Sequence, residues 1–289
     1  MRFGIIANPK SGPANIARKI QMLRGVAKIL GPETIFTGLE TTSKAEFLQG
    51  AKDLSAQVDV MIVAGGDGTF SDIINAIDLE TTLSYIPFGS GCALRYALDF
   101  PPQLSRIARR IRDGRLHRLD LILCDDSTKA FMASVGLEGD ILNRRETLQA
   151  SGVSGPQAYA MATFGSLIAD LERTDMAITV DGQNLAVPHA VTAIVTKIPY
   201  YGYNMKVVPS AAFDDGHLHL LAINSGRGEL VQTVASALID ENRLGTYRAG
   251  QEITIETQHE RQAQIDGNLY RTGTAFRFRV LPQALNMWY

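Results

Sequence analysis

The stretch VMIVAGGDGTFSDIINAI, residues 60–77, decides the fold. Its first four residues, Val60 to Val63, form a short, mostly β-branched apolar run that is typical of an internal strand in a parallel sheet. From Phe70 to Ile77, apolar residues recur instead at helical spacing. Between them lies Gly65-Gly66-Asp67-Gly68-Thr69. The pattern predicts a buried strand, a glycine-rich turn and a helix.

The first 120 residues repeat this alternation of strand and helix. Strands are predicted at residues 2–7, 34–37, 60–64 and 83–86, and helices at 14–30, 44–55, 70–78 and 103–112. Strands that alternate with helices are typical of an open parallel sheet covered on both faces. We therefore expect an α/β domain over residues 1–118.

Strand-like segments dominate from about residue 119 onward. They are predicted at residues 119–123, 130–135, 176–180, 190–196, 218–223, 252–257, 261–265 and 274–280. Helices are predicted at 157–171 and 229–238, and a loop at Ser151-Gly152-Val153-Ser154-Gly155. Closely spaced strands favour an antiparallel β-sandwich, which we expect over residues 119–282. The predicted fold class is α/β: an open parallel N-terminal domain and a C-terminal antiparallel β-sandwich.

Composition limits the function classes. The chain has 289 residues, 45% of them apolar, and a formal net charge of −2, which argues against a globally basic nucleic-acid binder. No apolar run approaches the roughly 18 residues that a membrane span needs. The two cysteines, Cys92 and Cys124, are too few for a disulfide framework. We expect a cytoplasmic protein that makes no contact with nucleic acid.

Three predicted turns at the carboxyl ends of strands are rich in small residues. They are Asn8-Pro9-Lys10-Ser11-Gly12, Gly65-Gly66-Asp67-Gly68-Thr69 and Gly89-Ser90-Gly91. Such turns share one edge of a parallel sheet, where ligands bind, and the following helices offer free N–H groups. Each turn alone is equally consistent with a tight turn and nothing more. Together they predict a cradle for a polyphosphate.

Asp67 within the second turn adds to this prediction. A bare carboxylate would repel a phosphate at ~4 Å by about 4 kcal/mol at an intermediate effective dielectric, and a divalent cation between them reverses the sign. The P-loop pattern is missing, and the first turn is not that of a dinucleotide fold. We therefore predict a bound nucleotide with a divalent cation beside its phosphates, and the P-loop and Rossmann oxidoreductase interpretations are disfavoured.

These motifs resemble those of the diacylglycerol kinase catalytic fold, which sphingosine, ceramide and bacterial lipid kinases share. The first turn is similar to the family's NPxSG, Gly65 to Thr69 are identical to its GGDGT, and Pro87-Phe88-Gly89-Ser90-Gly91 resembles its third turn. In the second half, residues 209–218 resemble P-x-A-x-x-D-D-G-x-L, and Gln264-Ile265-Asp266-Gly267 resembles the late DGE motif.

The resemblance implies a kinase that uses ATP and Mg²⁺ and acts on a lipid at the membrane surface, with catalysis between the two domains. Asp67 would face the nucleotide phosphates, Asp266 would take the proton of the lipid hydroxyl, and Asp215 would belong to a metal site. The resemblance also implies that residues 283–289 return to the first domain and that the chain forms a homodimer. Without the resemblance, Asp266-Gly267 would favour a plain hairpin turn.

The sequence departs from the family pattern at several positions. Cys92 and Ala93 replace the Asn-Asp that often follows the third turn, Asn268 replaces the glutamate of DGE, and Asp72 stands where glutamate is usual. Diacylglycerol is the leading acceptor, with sphingoid-base or ceramide-type lipids next. An NAD kinase, which shares GGDGT, and a catalytically degenerate binder of nucleotide or lipid stay open as alternatives.

Two further features concern the surface and the histidines. The segment Arg106–Arg118 is rich in arginine, and its helix has an apolar face formed by Leu104, Ile107, Ala108 and Ile111. We therefore expect peripheral contact with acidic lipid on the inner face of the membrane, with a plain solvated helix as the alternative. His217 and His219 alternate along a strand and are expected to share a solvated face.

Overall fold

The computed structural model describes residues 1–89, 91–153, 157–158, 161–162, 165 and 171–289. Two compact units make up the chain. One comprises Met1–Leu119 and Gln283–Tyr289, and the other Asp120–Pro282.

The first unit is built on parallel strands. These are β1 (Phe3–Ala7), β2 (Ile35–Thr37), β3 (Val60–Gly65) and β4 (Leu83–Pro87), paired in the order β2-β1-β3-β4. At the edge, Met287 pairs in parallel with Leu83, and the Ser84 hydroxyl donates to the carbonyl of Trp288 at 2.7 Å. Every residue of β1 and β3 is buried, as strands covered on both faces require.

Five helices cover these strands. They are α1 (Ile16–Leu30), α2 (Lys44–Ser55), α3 (Asp67–Ala76), α4 (Ala93–Ala97) and α5 (Leu104–Arg112). The side chains of Asn15 and Ser43 cap α1 and α2 by accepting hydrogen bonds from backbone N–H groups in the first turn. The short helix α4 is absent from the sequence-based prediction, because its five residues are too few to show a period.

The second unit is an antiparallel β-sandwich, which confirms the predicted fold class. Its strands are β5 (Leu116–Cys124, which begins in the first unit), β6 (Thr128–Ala130), β7 (Met132–Gly136), β8 (Thr174–Val180), β9 (Gln183–Ala190), β10 (Thr192–Thr196), β11 (Tyr200–Tyr201), β12 (Met205–Lys206), β13 (Leu218–Ile223), β14 (Thr246–Gly250), β15 (Glu252–Ile265) and β16 (Asn268–Trp288, which ends in the first unit). The helices are α6 (Leu137–Ala150) and α7 (Arg227–Ile239), with a short 3₁₀ turn at Gly202–Asn204.

Strand β15 pairs with different strands of this unit along its length. Its first half pairs with β8, where Ile253 lies opposite Val180, and its last part pairs with β7, where Ala263 lies opposite Val135. The register of its pairing with β16 shifts between Glu256 and Arg261. Such a bulge bends a strand from one layer to another, so the segments predicted as two strands form one continuous strand.

The helices of this unit differ in part from the sequence-based prediction. Helix α6 is absent from the sequence-based prediction; of its residues only Leu137, Gly139, Ile141 and Leu142 are buried, which is too short a stripe to show helical spacing. The helix predicted at 157–171 and the end of the loop predicted at 151–155 lie for the most part outside the described residues. Within the described part of the chain, no helix combines the length and the apolar character that crossing a membrane requires.

Candidate functional site

The three small-residue turns of the first unit meet at one edge of the parallel strands. The Asn8 amide donates to the carbonyl of Ala64 at 3.0 Å, which joins the first turn to the end of β3. The amides of Phe88 and Gly89 donate to the carbonyl of Gly65 at 2.8 and 3.2 Å. The second turn therefore lies between the other two, and the three turns share one edge, as the sequence predicts. Ser90, in the third turn, lies outside the described residues.

Side chains reinforce the contact between the first and second turns. The Asn8 amide group donates to the Thr69 hydroxyl at 2.9 Å, and the Ser11 hydroxyl lies 3.1 Å from the same oxygen. The Asn8 carboxamide oxygen also accepts from the Lys10 backbone at 2.8 Å, which closes the first turn on itself. The Thr69 hydroxyl thus connects the second turn to the first through its contacts with Asn8 and Ser11.

Close backbone packing explains two of the glycines. A Cβ on Gly12 would lie only 1.8 Å from the carbonyl oxygen of Phe88, and Gly12 has a φ of +69°. A Cβ on Gly89 would lie 2.7 Å from the Cα of Gly66. Larger residues would push the turns apart, so the glycines are needed for the approach of the three backbones as well as for any ligand.

Asp67 points its carboxylate at the start of α4. It accepts hydrogen bonds from the amides of Ala93 at 2.7 Å and Leu94 at 3.1 Å. Burial raises the pKa of the Asp67 carboxyl above its usual value, although the two amides oppose that change. The carboxylate thereby links the second turn to the segment after the third, and backbone dipoles offset part of its charge. Its role as a ligand of Mg²⁺ stays a prediction.

Cys92 closes the third turn where the family pattern has asparagine. Its φ is +36°, a left-handed conformation, and its thiol donates to the carbonyl of Gly89 at 3.1 Å. The Tyr85 hydroxyl lies 3.3 Å from the sulfur. Burial, together with the charge of Asp67, raises the pKa of Cys92 to about 12. The thiol is therefore a neutral hydrogen-bond donor at physiological pH and replaces the amide donor structurally.

Lys19 is a site residue that sequence reasoning missed. Its side chain is buried beneath the first turn, and Nζ donates to the carbonyls of Pro9 at 2.6 Å and Asn8 at 3.3 Å. Burial lowers its pKa below the ordinary value. The sequence contains one signal that could have identified Lys19: it lies on the same buried face of α1 as Leu23 and Val26, where an apolar residue is expected.

In the second unit, Asp266 and Gly267 form the two-residue turn between β15 and β16. Their φ angles are +48° and +82°, and Ile265 pairs with Asn268 across the turn. The Asp266 carboxylate is buried and accepts from the amides of Phe131 at 3.1 Å and Met132 at 2.9 Å. The turn alternative is therefore correct as a description of the backbone. Proton transfer by this carboxylate stays a prediction.

Asp215 lies in a cluster of charged groups. Its carboxylate is 2.6 Å from the Lys197 ammonium and 2.8 Å from Nε2 of His219. His219 is only 2% exposed, and its Nδ1 lies 2.8 Å from the Tyr247 hydroxyl. The expectation that His217 and His219 share a solvated face is wrong, since His217 is exposed whereas His219 packs inward between Asp215 and Tyr247.

The arginine-rich segment borders a shallow cavity in the first unit. The apolar face predicted for α5 is confirmed at Ile107, Ala108 and Ile111, which are buried, and Leu104 is half-buried. Arg106 and Arg109 are exposed. The cavity encloses about 480 Å³, and its lining residues are Arg109, Arg110, Asp113, Gly114, Arg115, His117 and Tyr289. Three arginines against a single carboxylate, which pairs with Arg112, make this surface electropositive.

Comparison with known families agrees with this geometry. Residues 2–124 match the model of the diacylglycerol kinase catalytic domain, and residues 132–289 match that of the YegS C-terminal NAD kinase beta sandwich-like domain. A diacylglycerol kinase of Staphylococcus saprophyticus is 22% identical over 92% of this chain and 88% of its own length. An uncharacterised protein of Synechocystis is 24% identical over 98% of this chain and 69% of its own length.

Solved structures share the fold at low identity. A diacylglycerol kinase from Bacillus anthracis superimposes with a TM-score of 0.77 at 20% identity, covering 100% of this chain and 96% of that one. An NAD kinase from Archaeoglobus fulgidus in complex with ATP gives a TM-score of 0.51 at 12% identity, covering 100% and 93%. The motifs, the two units and both family models lead to one conclusion: the chain belongs to the diacylglycerol kinase catalytic-domain family of kinases.

Proposed function

We propose that this protein is a lipid kinase that transfers the γ-phosphoryl group of ATP, with Mg²⁺, to the hydroxyl of diacylglycerol. The observation that carries the proposal is the meeting of three small-residue turns in the first unit, in which Gly12 and Gly89 pack too closely for any side chain. Phosphoryl transfer depends mainly on positioning and on neutralising charge. A rigid backbone cradle next to two lysines meets both needs.

The first unit has suitable groups for the phosphates. The backbone N–H groups of Gly65 to Thr69 lie where a strand ends and α3 begins, the position at which helices bind anions. Lys10 is exposed on the first turn, and the Lys19 ammonium underlies the same turn. MgATP, when bound, supplies the phosphoryl group. Asp67 accepts one amide hydrogen on each carboxylate oxygen and keeps lone pairs for a cation.

Asp266 is the proposed proton acceptor for the lipid hydroxyl. The amides of Phe131 and Met132 hold its carboxylate in one orientation. A fixed base is more effective than a mobile one, because proton transfer needs hydrogen-bond geometry in the transition state. Asn268, which stands where the family has glutamate, is exposed. The presence of asparagine at this position therefore leaves the orientation of the Asp266 carboxylate intact.

The acceptor is the least constrained part of the proposal. Diacylglycerol is favoured because several staphylococcal relatives of this chain, at 22–23% identity, are named diacylglycerol kinases. Incubation with [γ-³²P]ATP, Mg²⁺ and separate panels of diacylglycerol, sphingosine, ceramide and NAD tests it. We expect label in diacylglycerol. Label in another lipid would change the acceptor, label in the dinucleotide would make the protein an NAD kinase, and no label despite ATP binding would make it a degenerate binder.

We also propose that the electropositive surface of α5 contacts anionic lipid. Exposed Arg106 and Arg109 each contribute about 1 kcal/mol near an anionic leaflet. Changing both to glutamate should abolish sedimentation with vesicles that contain phosphatidylglycerol. The control changes Arg18 and Arg24, two exposed arginines of α1, by the same charge. Equal binding of the wild type and the Arg106/Arg109 variant would refute this contact.

A further inference from the structure

Lys197 is a fully buried lysine immediately after β10. Its ammonium lies 2.6 Å from Oδ1 of Asp215, 2.9 Å from Oδ2 of Asp120 and 2.6 Å from the carbonyl oxygen of His217. The Lys197 side chain has no exposed surface, and that of Asp120 is 2% exposed. Three segments distant in sequence therefore converge on one positive charge.

These oxygens are of the kind that a hard divalent cation uses. Carboxylate oxygens from separate segments and a backbone carbonyl are typical ligands of Mg²⁺ and Ca²⁺. An ammonium has three donors and no acceptor; Nζ of Lys197 donates to Asp215 and to the carbonyl of His217 and forms an ion pair with Asp120. The lysine thus makes the contacts that a bound cation would make.

Other donors engage the same carboxylates. The Gly216 amide donates to Oδ2 of Asp120 at 2.8 Å, and the His217 amide donates to Oδ1 of Asp215 at 3.1 Å. Oδ2 of Asp215 faces Nε2 of His219. A metal ion at these oxygens would have to displace the Lys197 ammonium or stand beside this buried group of like charge. The metal site that the family resemblance implies at Asp215 does not fit these residues.

We propose that Lys197 is a built-in cation that replaces a divalent metal in the second unit. It clamps the segment before β13, which carries Asp215 and His217, to the end of β10 and to Asp120 on β5. The Asp120 amide, which donates to the carbonyl of Phe213 at 2.7 Å, strengthens the same clamp. Because the charge is covalently attached, the stability of this unit does not depend on the metal concentration. Mg²⁺ then acts only with the nucleotide.

The test compares the wild-type protein with Lys197→Met, which keeps the apolar stem and removes the charge. Without nucleotide, the wild type should have the same Tm in EDTA and in saturating Mg²⁺. Lys197→Met should melt lower in EDTA, recover with Mg²⁺ or Ca²⁺, and bind one more Mn²⁺ per chain by electron paramagnetic resonance. The control Lys206→Met removes a half-buried ammonium paired with Glu241 and should gain no Mn²⁺.

A second comparison keeps the test decisive if Lys197→Met does not fold. The wild type and Asp215→Asn should bind the same number of Mn²⁺ ions when nucleotide is absent. A wild-type Mn²⁺ site that disappears in Asp215→Asn would overturn the proposal, as would a folded Lys197→Met variant that gains no cation. Neither readout uses kinase activity, so failure here is distinct from failure of the proposed function.

Discussion

Replacing Asp266 by asparagine separates a catalytic role from a structural one. Oδ1 of Asp266 accepts from the amides of both Phe131 and Met132, at 3.1 and 2.9 Å, and Oδ2 lies 3.3 Å from the Phe131 amide. The carboxamide oxygen of asparagine can replace Oδ1. The two hydrogen bonds from these amides then have a neutral acceptor instead of a charged one, which lowers the free energy of unfolding by about 1–2 kcal/mol in total.

The chain contains a matched control in Asp181. Asp181 and Gly182 form the turn between β8 and β9 with φ angles of +47° and +79°, close to those of Asp266 and Gly267. Oδ1 of Asp181 likewise accepts from two amides, those of Gln251 and Glu252, at 2.9 and 2.8 Å. Asp181 is exposed, so its substitution by asparagine should destabilise the fold no more than the change at Asp266 does.

The expected effects on catalysis are far larger than those on stability. Loss of a general base slows turnover by about 10²–10⁴-fold. We expect Asp266→Asn to lose that much kcat in the radiolabel assay, to keep its affinity for ATP, and to lower Tm by a few degrees. Asp181→Asn should turn over like the wild type. Turnover of Asp266→Asn within about threefold of wild type would refute the assignment of the base, and equal losses in both variants would place the effect in the fold.

Three further predictions follow from single contacts. Gly12→Ala should lose about 100-fold in turnover in the radiolabel assay, because the new methyl group forces the first and third turns apart by about 1.5 Å; Gly182→Ala, at a similar positive φ with open space around it, should turn over normally in the same assay. Cys92 should resist iodoacetamide at pH 8 until the protein is unfolded, as mass spectrometry can show, since the thiol is buried and its pKa is about 12; rapid labelling of the native chain would contradict this. Burial alone would raise the pKa of Asp125, but hydrogen bonds, first that from Arg271, hold it below the usual value. The ionised Asp125 therefore contributes on the order of 1 kcal/mol to the free energy of unfolding. This contribution is complete above the pKa of the unfolded state, about 4, and is lost as the pH falls through the lower pKa of the folded state. Urea midpoints of the wild type and Asp125→Asn should therefore differ at pH 7 and converge below pH 4.

The local pattern of the chain was enough to predict most of its regular elements. Strand β13 has its predicted bounds, as does α2, and β3 to α3 follows the apolar pattern of residues 60–77. These elements have a clear period and end at recognisable turns. Where the period is short or broken, as in α4 and α6, local pattern does not predict the helix, because those segments become helical through packing with the rest of their unit.

Sequence alone also determined the family and the chemistry of the first unit's turns. The small residues of GGDGT and of the turn at Asn8 to Gly12 identify these turns from the sequence alone, whereas the close approach of Gly12 to Phe88 is a tertiary contact. The tertiary structure decided the partners of the charged groups. Asp67 meets the amides of Ala93 and Leu94, and Lys197 meets Asp120 and Asp215, across separations of 18 to 77 residues. Spacing rules reach only a few residues along a helix or strand, whereas the partner of a buried charge depends on which distant segments the fold brings within hydrogen-bonding distance.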